Sequence, residues 1–115
     1  MSTLTKPWGW EELLEKNDKY VVKKLFMKQG CQCSLQYHEY KQETIYVLSG
    51  TLRITLGHNG NYEEKLILET DQFATIQPNK VHRMYGETDC TYLECSTTEL
   101  DDVVRLEDDY GRTNE

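Results

Sequence analysis

Proline and phenylalanine are scarce in this chain, at two residues each, and glycine reaches only seven. That scarcity excludes proline-rich, collagenous and flexible-linker segments, whose compositions would stand out. No run of about 20 apolar residues occurs, so no stretch has the length of a membrane-spanning helix. No leader or lipid-attachment signal is read either, and the expectation is a soluble, cytoplasmic protein with no membrane partner. Positive charge is in deficit: 13 Lys and Arg face 20 Asp and Glu, a formal net charge of −7. Nucleic acids and anionic membranes attract clustered Lys and Arg, so neither is expected as a partner. The four cysteines, Cys31, Cys33, Cys90 and Cys95, lack the spacing of a structural zinc site. They are read as reduced and as small hydrophobes.

What the sequence does have is tyrosine, eight residues of it, with Val, Ile and Thr in short alternating runs. Its 115 residues suit one domain with a single core. Tyr20 to Lys28 alternates as a strand, and Ser34–Tyr40, Glu63–Leu68, Phe73–Ile76, Val81–Tyr85 and Thr91–Cys95 read the same way. Ser49-Gly50 is a turn signal between Thr44–Leu48 and Thr51–Leu56, which are expected to pair as a hairpin. Residues 1–19 read as an N-terminal arm in which Trp10–Leu14 is a short strand or a helical turn, 20–98 as a barrel, and 99–115 as an acidic tail, a solvated face that forms a helix or a last edge strand. Short strands with separators too short for crossover helices predict an all-β, antiparallel domain.

One stretch carries chemistry. Gly30 to Gly50 reads G-CQCSL-Q-Y-H-EYKQ-E-TIYVLS-G, and Asp71 to Gly86 reads D-QFATI-Q-P-N-KV-H-RMY-G. These resemble the two cupin motifs, G-x5-H-x-H-x3,4-E-x6-G and G-x5-P-x-G-x2-H-x3-N. Gln36 stands where the first histidine usually is, and His38, Glu43 and His82 keep their places. Asp71, Gln77, Asn79 and Gly86 replace family residues, Asn79 at a turn that wants a left-handed conformation. The resemblance implies a double-stranded β-helix, or jelly-roll, barrel with a divalent metal on Gln36, His38, Glu43 and His82. In a strand, residues two apart share a face, which places Gln36 and His38 together. Glu43 is expected to return on the partner strand, with His82 arriving from a distant one. Two imidazoles, a carboxylate and an amide oxygen suit Zn, Mn, Fe, Co or Ni alike.

A closer likeness covers Lys6 to Arg112. The start K-P-W-G-W, the stretch S-L-Q-Y-H-E-Y-K-Q-E-T-I-Y-V-L-S-G-T-L, the His82-Arg83 pair and the ending D-D-V-V-R-L-E-D-D-Y-G-R are similar to type II phosphomannose isomerases. That family also forms the C-terminal module of mannose-1-phosphate guanylyltransferases. No glycine-rich phosphate loop occurs here, so no nucleotidyltransfer is expected of this chain. The resemblance implies interconversion of mannose 6-phosphate and fructose 6-phosphate through an enediol. Arg53, Arg83, Arg105 and Arg112 are candidates to hold the phosphate, since a guanidinium matches it bidentately. Where the family reads Q-M-H-H-H-R-A-E-H-W, this chain reads Q-Y-H-E-Y-K-Q-E-T-I from Gln36 to Ile45. The arginine associated with catalysis becomes Lys41, a base if desolvated, and Tyr40 is expected to point into the cavity. Two further readings stand beside the isomerase: a non-catalytic sugar or sugar-phosphate binding cupin, and a metal-dependent oxygenase. A homodimer is expected, with the Trp8–Trp10 arm contributing.

Overall fold

The computed structural model describes residues 2–58 and 60–112, and at residues 2 and 58 the backbone alone. It contains no helix among these residues and eleven strands. Strands β1 (Ser2–Lys6), β2 (Gly9–Lys16), β3 (Val21–Met27), β5 (Glu43–Ser49), β8 (Phe73–Ile76) and β10 (Cys90–Ser96) form one sheet, ordered β1-β2-β3-β10-β5-β8. Strands β4 (Leu35–Tyr37), β6 (Leu52–His58), β7 (Asn61–Leu68), β9 (Val81–Gly86) and β11 (Val104–Glu107) form the other, ordered β11-β4-β9-β6-β7. Every pairing between named strands is antiparallel.

Alternation explains which faces meet. In β3 Val21, Leu25 and Met27 are buried while the residues between them are half-exposed. Ile45 and Val47 in β5, and Leu52 and Ile54 in β6, are fully enclosed between the sheets. Each such side chain contributes roughly 1.5–3 kcal/mol over leaving it in water. The turn residues behave as their chemistry demands. Asn17 Oδ1 accepts from the N–H groups of Lys19 and Tyr20, and Asn79 takes the left-handed conformation at φ 68°.

Two expectations are corrected and two open readings are resolved. Thr44–Leu48 and Thr51–Leu56 do not pair: β5 lies between β10 and β8, and β6 between β9 and β7. The Ser49-Gly50 turn instead passes the chain from one sheet to the other. Gly50 fits there because a Cβ would stand 2.2 Å from the Asp89 carbonyl oxygen. In the N-terminal arm Trp10–Leu14 is a strand, part of β2, which forms a hairpin with β1 and pairs with β3. The expected strand Ser34–Tyr40 stops at Tyr37, and the chain bends at residues 39 and 40. The tail takes its edge-strand reading, with β11 pairing with β4 at the end of its sheet; residues 113–115 lie outside the described set.

Candidate metal centre and its cavity

Gln36 and His82 face one another across the β4–β9 pair, so their side chains leave the sheet on the same side. His38 follows at the end of β4 and is buried. Glu43, the first residue of β5, reaches in from the opposite sheet, not from the partner strand of β4. Glu43 Oε2 lies 3.2 Å from His38 Nε2, and Glu43 Oε1 lies 3.8 Å from His82 Nε2. One ligand atom from each of the three residues lies within 4.8 Å of the others.

The outer ring nitrogens set the chemistry of the inner ones. His38 Nδ1 meets the main-chain carbonyl of Asp102, and His82 Nδ1 meets that of Lys80 at 2.9 Å. A carbonyl can only accept, so both Nδ1 atoms carry a proton, and each ring turns its Nε2 toward the interior. There His38 Nε2, His82 Nε2 and Glu43 Oε2 are buried without a hydrogen-bond partner. Burial holds His82 below the ordinary imidazole range, outweighing the pull of Glu43. Burial would raise Glu43, but His38, His82 and Lys41 bring its carboxyl down to about 2. Two imidazole Nε2 atoms and a carboxylate oxygen that converge without a hydrogen bond are a donor set that a divalent cation takes, and the residues fit one, with Lys41 Nζ beside Glu43 Oε2 at 3.4 Å as an ion pair. Gln36 lines the same cavity with its Oε1 accepting from Ser34 Oγ.

That cavity, about 120 Å³, is bounded by Gln36, His38, Lys41, Glu43, Cys33, Tyr92 and Glu94, with Trp8, Leu25 and Met84 as apolar wall. A wider one of about 330 Å³ shares Glu11, Lys23 and Leu100 with it and is also lined by Lys6 and Asp101. Lys41 is buried, its Nζ 2.9 Å from Glu94 and 3.4 Å from Glu43. Burial would lower its pKa, yet Glu94 and Glu43 raise it above the usual lysine value. Lys41 is therefore a fixed cation and not the base its desolvation suggested. Glu94 behaves oppositely to Glu43: burial and the nearby Glu43 charge raise its pKa despite Lys41. Cys33 is pushed up to about 11 by burial, so its thiol stays protonated.

The other nominated residues are elsewhere. Tyr40 is 71% exposed and does not line the cavity, because β4 has ended and the alternation with it. Arg53 sits between enclosed Leu52 and Ile54, hence on the outer face, stacked on Tyr85 at 4.1 Å and paired with Glu87 at 3.0 Å. Arg83 also faces outward, donating to the Cys33 carbonyl at 3.0 Å and the Glu107 carbonyl at 3.2 Å. Arg112 chelates Asp108. Arg105 lies in register with Gln36 on edge strand β11 and so shares the inner face, though not the cavity wall. Two further residues, Glu94 and Asp102, adjoin the centre. Glu94 alternates with buried Tyr92 and Ser96, so an inward acid was visible in that strand. Asp102 gave no such signal.

Two facing antiparallel sheets with an inner His/Glu cluster define a cupin, a double-stranded β-helix. Solved structures agree at the level of fold: KdgF from Halomonas superposes with a TM-score of 0.73 at 15% identity over 84% of this chain and 85% of that one. CapF, a capsular polysaccharide assembling protein of Staphylococcus aureus, gives 0.77 at 20% identity over 92% of this chain and 31% of that one. Residues 1–108 match the family described as mannose-6-phosphate isomerase C-terminal, and the chain belongs to that family. Its relatives include the xanthan biosynthesis protein XanB of Xanthomonas campestris, 34% identical over 94% of this chain. The alginate biosynthesis protein AlgA of Pseudomonas aeruginosa is 33% identical over 96%, and the mannose-1-phosphate guanylyltransferase ManC of Salmonella typhimurium 32% over 93%. The chain spans 23% of XanB, 23% of AlgA and 22% of ManC.

Proposed function

We propose that this cupin holds a divalent metal on His38, Glu43 and His82, with Gln36 beside it, and isomerises a small sugar phosphate. Mannose 6-phosphate and fructose 6-phosphate are the pair that the family's description points to. The observation that carries the reading is the divergence of two carboxyls on either side of Lys41. Glu43 is held ionised at the histidines while Glu94 is pushed toward neutrality. Acid and base roles fall to groups whose environments separate them in this way.

Aldose–ketose exchange moves a proton between adjacent carbons while charge develops on their oxygens. Glu94 takes the proton from one carbon and returns it to the next, its raised pKa making it a stronger base than an ordinary carboxylate. The Lys41 ammonium, fixed 2.9 Å from Glu94, donates to the developing oxyanion. A bound metal would supply Lewis-acid polarisation of the sugar oxygens. The phosphate end extends into the wider cavity, toward Lys6 and Lys23. Metal-loaded protein incubated with mannose 6-phosphate, with fructose 6-phosphate formation coupled to a dye, tests the reading. No turnover with any of Zn, Mn, Fe, Co or Ni would overturn it.

One observation favours a binding protein without catalysis. Lys23 and Lys41 already face Glu11 and Glu94 at 2.9 Å each, and Arg53 and Arg83 point away from the cavity. Thermal stabilisation by sugar phosphates without product would select that reading. We also propose a homodimer; light scattering at micromolar concentration that gave a monomer mass would overturn it.

A further inference from the structure

We infer that Asp102 is a positioning residue for His38, and that the segment from Thr97 to Asp102 is a strap that sets the geometry of the metal centre. Asp102 acts through both of its acceptors. Its carboxylate takes three consecutive main-chain N–H groups, those of Glu39 at 3.0 Å, Tyr40 at 2.7 Å and Lys41 at 2.9 Å. Its carbonyl takes Nδ1 of His38. The loop that joins His38 to Lys41 has left β4 and has no ladder partner of its own, so these bonds replace the sheet's. At the strap's other end Thr97 N–H donates to the Gln42 carbonyl at 3.0 Å, and Gln42 N–H donates to Thr97 Oγ1 at 3.1 Å. Leu100, between the two anchor points, lines the cavity.

The two histidines are consequently held by different means. His82 Nδ1 meets the carbonyl of Lys80, two residues away at the entry to its own strand. His38 Nδ1 meets a carbonyl 64 residues later, whose position depends on the Asp102 carboxylate staying in its cup of amides. The outer hydrogen bond of a metal-ligating imidazole fixes its tautomer and orientation. Removing the carboxylate therefore releases His38 and leaves His82 as it was.

The affinity half of the test rests on the proposed metal centre, whereas the tautomer half does not. In metal-free protein, above the imidazole titration range, ¹⁵N spectra of the wild type show both rings as single Nδ1–H tautomers. Asp102→Ala gives a tautomer mixture at His38 and no change at His82, and Asp102→Asn, which keeps one acceptor oxygen, falls between them. Chelator competition with Zn²⁺ then shows about a 10–100-fold loss of affinity in Asp102→Ala and less in Asp102→Asn. An unchanged His38 tautomer in both variants overturns the proposal. So does an equal disturbance of His38 and His82, which marks general loosening. Should Asp102→Ala not fold, Asp102→Asn carries the same comparison. A wild type that takes up no Zn²⁺ removes the metal reading while the His38 spectrum still decides the strap.

Discussion

Gln36 lies directly opposite His82 in the β4–β9 pair, although the two belong to different sequence motifs. Their common face points at Glu43 on the other sheet, so the candidate centre is closed across the barrel interior. Gln36 differs from the histidines in having its oxygen tied to Ser34. His38→Ala and His82→Ala are each expected to weaken divalent metal binding by more than about 100-fold, since losing even an outer partner of a ligand costs about 10–100-fold. Gln36→Ala costs less than either. Chelator competition with elemental analysis measures this, and equal losses in all three variants would make Gln36 a full ligand.

Lys41 is the countercharge to two buried acids at once. Lys41→Met leaves Glu43 and Glu94 facing each other without it, and removing one partner of a buried ion pair costs roughly 3–5 kcal/mol. The expected loss in urea unfolding is of that size at pH 7. It shrinks as the pH falls, first as Glu94, whose pKa is raised, takes up a proton, and only toward pH 2 for Glu43. A loss independent of pH would show that packing, not charge, is what Lys41 supplies.

Acid should destabilise the metal-free protein in two stages. His82 has its folded pKa depressed below 6.5 by burial, so the unfolded chain binds more protons as the pH falls through 6.5, and stability drops there. Glu43 is depressed from 4.5 to about 2, so its contribution is complete above 4.5 and is lost as the pH falls toward 2. Urea midpoints between pH 8 and pH 2.5 record both stages. His82→Gln is expected to flatten the upper stage and leave the lower one; a curve of unchanged shape would refute the assignment.

The likeness to the two cupin motifs located the candidate centre at Gln36, His38, Glu43 and His82, and strand periodicity put Gln36 and His38 on one face. Sheet membership was not legible from the same stretch. A Ser-Gly turn says that the chain reverses, not that it reverses into another sheet, and β5 and β6 were wrongly paired for that reason. Guanidinium chemistry suits Arg53 and Arg83 to a phosphate, but the alternation of their own strands turns them outward. Glu94 obeys that alternation and was legible in it. Asp102 was not, because its partners are main-chain amides 61 to 63 residues away.

The K-P-W-G-W segment holds a further test. Trp8 is buried in the core, and Gly9 pairs with Met27 where β2 meets β3. A Cβ on Gly9 would stand 1.8 Å from the Phe26 carbonyl oxygen, a clash with backbone that no side-chain rotation relieves. Gly9→Ala is expected to cost on the order of 2–4 kcal/mol in urea unfolding, in the range of core disruptions. A change under about 0.5 kcal/mol, typical of neutral surface positions, would show that β2 does not pack against β3 this closely.

His38 donates its outer hydrogen bond to a residue 64 positions later, and its inner neighbours Glu43 and His82 belong to opposite sheets. Such long-range contacts are assembled late, after loop closure has been met for the chain as a whole. An ion that needs all three side chains finds no partial site on the folding chain. It would fasten a finished barrel, so adding a divalent metal is expected to slow the opening of the native state and leave the rate of refolding unchanged.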